Sequence, residues 1–258
     1  MNLELDRKHA VITGGSRGIG YACAERLAEE GAHVTIIGSH AATVDAALRS
    51  LRAKHPGRID GFALDLSIAS NSDVLGQHIA DADIVINNAG AIPGGGLDHV
   101  DDATWRSSWD VKVYGYINAT RQALPAMLER GSGVIVNVIG MAGAAPRYDY
   151  ICGSMANAAL IAFTRATGGH TARKGVRVVG VNPGPTETDR LVRLYESRAE
   201  ARFGDRARWR ELLADLPFGR PAKPEEMADL VVFLASARAS YLSGVVIDAD
   251  GGAQYTHQ

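Results

Sequence analysis

The stretch Thr13-Gly14-Gly15-Ser16-Arg17-Gly18-Ile19-Gly20 constrains the fold more than any other part of this chain. The apolar run before it, His9-Ala10-Val11-Ile12, is of the kind that forms a strand buried on both faces. After it, Tyr21-Ala22-Cys23-Ala24-Glu25-Arg26-Leu27-Ala28 places its apolar residues at helical spacing. A strand, a glycine-rich turn and a helix therefore follow one another. Glycine lets the backbone turn tightly and approach a ligand, and a helix start offers free N–H groups to an anion. The spacing Gly14-x-x-x-Gly18-x-Gly20 departs from the common fingerprint G-x-G-x-x-G, and such a triplet alone also serves as an ordinary strand-to-helix turn. Placed between a strand and a helix, it points to the phosphates of a dinucleotide.

The alternation continues. Ala32–Ile37 reads as a second strand ending in Gly38-Ser39-His40, and a helix follows from Ala41 to Lys54. Ile59–Leu64 is a third strand closing on Asp65-Leu66-Ser67, and Ile84–Ile86 a fourth ending in Asn87-Asn88-Ala89-Gly90. One long helical stretch runs from about Asp101 to Arg130. Val134–Val138 and Val176–Val181 are the fifth and sixth strands, with a helical segment Ile151–Arg173 between them, and Val245–Ile247 is the seventh. This order predicts an α/β fold, a doubly wound seven-stranded parallel sheet with helices on both faces. No linker, composition shift or repeat divides the 258 residues, so one domain, 1–258, is expected.

Composition narrows the partners. A net charge of -2 gives no electrostatic case for nucleic acid or an anionic membrane. Cys23 and Cys152 lack metal-ligand spacing and read as free thiols of a reducing compartment, with no metal expected. Met1–Asp6 lacks the apolar core of a signal peptide, and no apolar run spans a bilayer. The expectation is a cytoplasmic protein.

Ligands of parallel sheets bind beyond the carboxyl ends of the strands. That rule gathers Gly14–Gly20, Ser39, Asp65, Asn87–Gly90, the end of the fifth strand and Pro183-Gly184 at one edge. Thr13-Gly14-x-x-x-Gly18-x-Gly20, Asn87-Asn88-Ala89-Gly90, Asn182-Pro183-Gly184-Pro185-Thr186-Glu187-Thr188 and Asp250-Gly251-Gly252 resemble the marker motifs of the short-chain dehydrogenase/reductase family, in the family's order. The resemblance implies a Rossmann-type fold, a nicotinamide dinucleotide, a small-molecule substrate, and a homotetramer or homodimer. It also implies the cofactor residues: Gly14, Ser16, Arg17, Gly18, Ile19 and Gly20 in the turn, then Ser39 and His40, Asp65 and Leu66. Asn88, Ala89 and Gly90 follow, with Pro183, Gly184, Thr186 and Thr188, the last where relatives bind the nicotinamide carboxamide. The second strand ends without the carboxylate that selects NAD, and Arg17 resembles the arginine of NADP-using relatives, so NADP is favoured over NAD. Many of those relatives carry an arginine where Ser39 stands. Asp65 resembles the adenine-contacting aspartate, with a helix cap as the competing reading.

The family's catalytic pattern is absent. Its members use a tyrosine as general acid/base, a lysine that lowers the tyrosine pKa, a serine that polarises the carbonyl and an asparagine that holds a relay water. The alkoxide left by an arriving hydride must be stabilised and protonated in place. Alignment on Gly133–Gly143 and Ala158–Phe163 puts the tyrosine position on Gly153, the lysine on Asn157, the serine on Gly140 and the asparagine on Lys112. No Tyr-x-x-x-Lys occurs in the chain. One reading is a decayed site and a non-catalytic NADP(H)-binding sensor or scaffold. The other is a rearranged site, because Lys112 and Asn157 keep one ammonium and one amide with their places exchanged. Tyr150 and Tyr148, three and five residues before Gly153, then offer the phenol. In that reading Tyr150 is the acid/base (Tyr148 second), Lys112 lowers its pKa, Asn157 touches the nicotinamide ribose and Ser154 faces the carbonyl. Aromatic packing in the substrate loop is the competing reading for either tyrosine.

The resemblance makes 189–215 a lid over the substrate. Its arginines suit a carboxylate or a CoA phosphate, or else a solvated face offset by neighbouring acids. Gly168-Gly169 interrupts a helix at about 1 kcal/mol per glycine, which close packing at a subunit interface would explain. The functional expectation is an NAD(P)-dependent oxidoreductase acting on a carbonyl, a hydroxyl or a conjugated double bond.

Overall fold

Apolar, largely β-branched runs form seven parallel strands in one sheet: β1 (His9–Thr13), β2 (His33–Gly38), β3 (Ile59–Ala63), β4 (Ile84–Asn87), β5 (Gly133–Val138), β6 (Val176–Pro183) and β7 (Val246–Ala249). The structure, a computed structural model, describes residues 2–255, so Met1 and residues 256–258 of the expected 1–258 domain lie outside the described residues. The strand order is β3-β2-β1-β4-β5-β6-β7, the doubly wound Rossmann arrangement. Successive connections run outward in opposite directions from β1 and β4, leaving a crevice above their carboxyl ends.

Among the described residues there are eight α-helices, most of them packed on the sheet: α1 (Gly18–Glu29), α2 (Ala41–Lys54), α3 (Asn71–Ile79), α4 (Asp102–Trp109), α5 (Gly115–Arg130), α6 (Ile151–Thr171), α7 (Asp189–Phe203) and α8 (Pro224–Ala235). The period-two pleat sorts strand residues between two cores. Ala10, Ile12, Ile84, Ile86, Val136 and Val138 face one side, with Leu27 of α1, Leu51 of α2 and Val231 of α8. Val11, Val85 and Ile135 face the other, with Leu75 and Ile79 of α3 and Ala119, Ala123 and Met127 of α5. The central strands β1, β4 and β5 are thus covered on both faces, as their near-continuous apolar runs require, while the edge strands β3 and β7 stay partly exposed.

Several boundaries differ from the sequence expectation. β6 reaches Pro183 because it pairs with β7 as far as Pro183 opposite Ala249, carrying Asn182 out to the sheet edge. The helical stretch 101–130 is broken by a π-helical turn, Asp110–Tyr114, between α4 and α5. The wider turn buries two adjacent residues, Lys112 and Val113. Helices α3 and α8 add to the elements expected from the sequence. The subunit-interface explanation for Gly168 is corrected: a Cβ there would overlap Gly244 N and Val178 O, so α6 packs directly on its own chain. Gly169 has open space around it. Among the described residues no helix is long and apolar enough to cross a membrane.

Candidate active site

The glycine turn is held open by its neighbours. Gly14 and Gly18 have φ of +66° and +55°, values that side chains disfavour. A Cβ at Gly14 would come within 2.9 Å of Ala89 Cα, and one at Gly20 within 2.5 Å of Asn88 Nδ2. The Thr13 hydroxyl accepts from the Asn88 and Ala89 N–H groups at 3.0 and 3.2 Å, and Asn88 Nδ2 donates to the Gly14 carbonyl at 3.0 Å. The carboxyl ends of β1 and β4 are thereby locked together. The start of α1 has no side-chain cap and no acid in its first turn, which leaves its N–H groups for an anion. Gly18 brings the Pro183–Thr188 loop to the same place, since its Cβ position lies 3.0 Å from Thr188 Cγ2.

At the far end of this edge, Ser39 and His40 are exposed, as is Arg17. Arg17 has no ion pair among the described residues. Asp65 does not cap α3, whose N-cap is Ser70. Its Oδ1 accepts from the Ser67 hydroxyl at 2.7 Å and the Ser67 N–H at 2.9 Å. Those bonds, and to a lesser degree nearby His40, hold its carboxyl below the ordinary range. Thr186 turns its hydroxyl onto the Gly184 carbonyl at 3.0 Å, while Thr188 caps α7 at Leu191 N. Gly184 lies against the Asp250-Gly251-Gly252 segment, 2.8 Å from Asp250 Cα to its Cβ position. Leu66 packs towards Gly115, and Gly90 faces the stem of Lys112. Pro183 ends β6.

The chemistry-bearing side chains meet between β4, β5 and α6. Gly140, at φ +139°, turns the chain beyond β5, and its N–H donates to Asn182 Oδ1 at 3.3 Å. Asn182 is itself held by Asp248 at 2.7 Å. A Cβ at Gly140 would lie 2.9 Å from Asn157 Nδ2. Asn157 is 2% exposed, and its Oδ1 is buried without a hydrogen-bond partner. Beside it the π-turn delivers Lys112, whose Nζ donates to the Ile139 carbonyl at 2.6 Å. Burial, and then the charge of Arg190, lower the Lys112 pKa from 10.5 to about 7. Tyr150 folds back over Gly153: a Cβ there would overlap Cε1 and Cζ of its ring. Arg190 Nη2 lies 3.5 Å from the Tyr150 hydroxyl and also donates to the Ile92 carbonyl. Tyr116 closes the floor, donating to the Val138 carbonyl at 2.7 Å. Burial pushes its phenol up, and the neighbouring Tyr150 adds to the shift.

Three expectations are corrected by this geometry. Ser154 turns its hydroxyl to the chain's own Arg147 and not to a substrate carbonyl, accepting from Arg147 N at 3.0 Å and donating to Arg147 O at 3.2 Å and so bracing the loop before α6. Tyr148 is 62% exposed and lies over Gly96, away from the Tyr150 cluster. The cation at hydrogen-bonding distance from Tyr150 is Arg190, not Lys112, whose ammonium donates to the Ile139 carbonyl. Arg190 was one lid arginine among seven in the sequence, with no signal to single it out. Most of the others are paired or stacked: Arg198 with Asp149, Arg206 with Glu196, Arg208 with Glu211 and Arg210 with Glu187, while Arg202 lies over the Phe203 ring.

Known proteins resemble the whole chain. An uncharacterized oxidoreductase, YvrD, of Bacillus subtilis is 34% identical over 260 residues, covering 98% of each chain. The 3-oxoacyl-[acyl-carrier-protein] reductase FabG of Chlamydia muridarum is 32% identical, over 98% of this chain and 99% of that protein. Among solved structures, L-sorbose reductase from Gluconobacter frateurii, complexed with NADPH and L-sorbose, superposes with a TM-score of 0.92 at 30% identity, covering 99% of this chain and 100% of that one. Actinorhodin polyketide ketoreductase with NADPH gives 0.90 at 27% identity, over 97% and 98%. The family model for short chain dehydrogenases matches residues 8–199, and with these relatives it establishes that the chain belongs to the short-chain dehydrogenase family.

Proposed function

We propose that the protein is an NADP-dependent oxidoreductase in which Tyr150 replaces the proton-donating tyrosine of its relatives. The observation that carries this reading is the overlap at Gly153: the Tyr150 ring occupies the volume that a side chain at position 153 would need. A phenol is thus supplied to the cleft from three residues earlier in the chain.

The residues present fit NADP. The crowded, side-chain-free turn at Gly14, Gly18 and Gly20 suits a pyrophosphate against the α1 N–H groups, with Ser16 and Ile19 flanking it. Arg17, Ser39 and His40 would hold the 2′-phosphate, with no carboxylate among them to repel it. Asp65 and Leu66 would face the adenine, and Asn88, Ala89 and Gly90 would line the cleft wall. The orphaned Oδ1 of Asn157 is an acceptor waiting for a ribose hydroxyl. Pro183, Gly184, Thr186 and Thr188 would position the carboxamide. When bound, NADP supplies or accepts the hydride.

The protein's own part is proton and charge management. Tyr150 donates its hydroxyl proton to the substrate oxygen in reduction and recovers it in oxidation. Arg190, from the start of the 189–215 lid, stabilises the phenolate left behind. Lys112 and Tyr116 fix the Val138-Ile139 carbonyls from below and so set the floor of the site. The substrate is a small carbonyl or hydroxyl compound. Tyr150→Phe is expected to lower NADPH-dependent turnover across a carbonyl panel by about 10²–10⁴-fold with NADPH affinity retained. Full turnover by that variant would refute the assignment.

A further inference from the structure

From Lys112 and Arg190 together we infer a subsite for a substrate carboxylate, a reading that rests on the hydride chemistry proposed above and names its substrate class. Both cations border the Gly90–Ile92 segment: the Lys112 stem packs 3.1 Å from the Cβ position of Gly90, and Arg190 donates to the Ile92 carbonyl. Neither has an acidic partner among the described residues. The lid arginines 198, 206, 208 and 210 each have one, so Arg190 differs from them in lacking an acid. Lys112 is 9% exposed and has one acceptor, the Ile139 carbonyl, for three ammonium donors. Arg190 uses only Nη2, so Nε and Nη1 remain to grip a second group. Two neighbouring cationic groups on one segment, with spare donors and no counter-charge, suit an anion from outside the chain. The open guanidinium edge matches the two oxygens of a carboxylate, and Lys112, whose charged form a neighbouring anion favours, adds a point charge. Placed there, the acid group sits beside the Tyr150 hydroxyl, which puts the reacting carbon of an oxo or hydroxy acid close to the proton donor.

The test measures binding, independent of turnover. Straight-chain carboxylates from acetate to octanoate, their amides, and methyl phosphate are titrated calorimetrically into the NADP-saturated protein, so that cofactor sites are filled. At least one carboxylate is expected to bind about tenfold or more tightly than its amide, the step that one lost charged contact typically represents. Arg190→Gln is expected to remove that preference, Arg190→Lys to restore part of it, and Tyr150→Phe to leave it intact. Equal binding of acid and amide throughout the series overturns the inference. So does a preference that survives Arg190→Gln and Lys112→Gln in variants whose melting shows them folded, or tighter binding of methyl phosphate than of any carboxylate. A carboxylate preference combined with full turnover by Tyr150→Phe would leave this subsite standing and refute the acid/base assignment. The converse pair of results would refute the subsite alone.

Discussion

Gly153 and Lys112 show how much a single position decides in this cleft. At Gly153 the missing side chain admits the Tyr150 ring, so Gly153→Ala must push that ring aside. NADPH affinity is expected to persist while turnover falls about tenfold or more, because general acid catalysis depends on the placement of the donor. Steady-state kinetics beside cofactor titration check this. Lys112 makes a prediction of opposite sign for stability. Its pKa is lowered in the folded chain, from 10.5 to about 7. Below about pH 7 both states carry the charge, and folding bears the whole cost of burying it. Between about 7 and 10.5 the folded chain releases its proton while the unfolded chain keeps it, so stability contributed at this site rises with pH. Lys112→Met is expected to stabilise the protein by about 1–4 kcal/mol in mildly acidic buffer. That gain shrinks towards pH 10.5, and denaturant unfolding as a function of pH measures it.

Elements supply the frame on which these residues sit. α2 forms over the residues its apolar spacing indicates, Ala41–Lys54, because Val44, Ala47, Leu48 and Leu51 repeat at helical intervals and need only one neighbouring face. The π-turn at Asp110–Tyr114 was hidden for a related reason: apolar spacing continues on both sides of it, and only the tertiary demand to bury both Lys112 and Val113 widens the helix there. In α6 the two adjacent glycines answer to different neighbours. Gly168→Ala drives a Cβ into the backbone at Gly244 and Val178 and is expected to cost about 1–3 kcal/mol. Gly169→Ala meets nothing and is expected to stabilise by up to about 1 kcal/mol. Thermal melts of the two single variants distinguish the positions.

At the scale of the whole molecule, strand order assembles the cofactor edge from segments far apart in the chain. Arg17, from the first turn, stands exposed and free of any ion pair among the described residues, at the same edge as Ser39 and His40. Arg17→Ala is therefore expected to weaken NADPH binding about tenfold or more while changing NADH binding little, since only NADPH carries the 2′-phosphate. Fluorescence titration with the two reduced cofactors tests it. The sequence by itself determined the alternation of strands and helices, the glycine turn and the cofactor motifs. Each of these rests on a local demand, either apolar periodicity or a backbone conformation that only glycine accepts readily. On the family resemblance it also set Gly140, Gly153, Asn157 and Lys112 at the positions expected to carry the usual catalytic types. Only the tertiary structure decided which side chains lie near those positions. Tyr150 and Arg190 are 40 residues apart, and no periodicity or spacing relates them. Packing brought that pair together, as it committed Ser154 to the Arg147 loop and Lys112 to the Ile139 carbonyl.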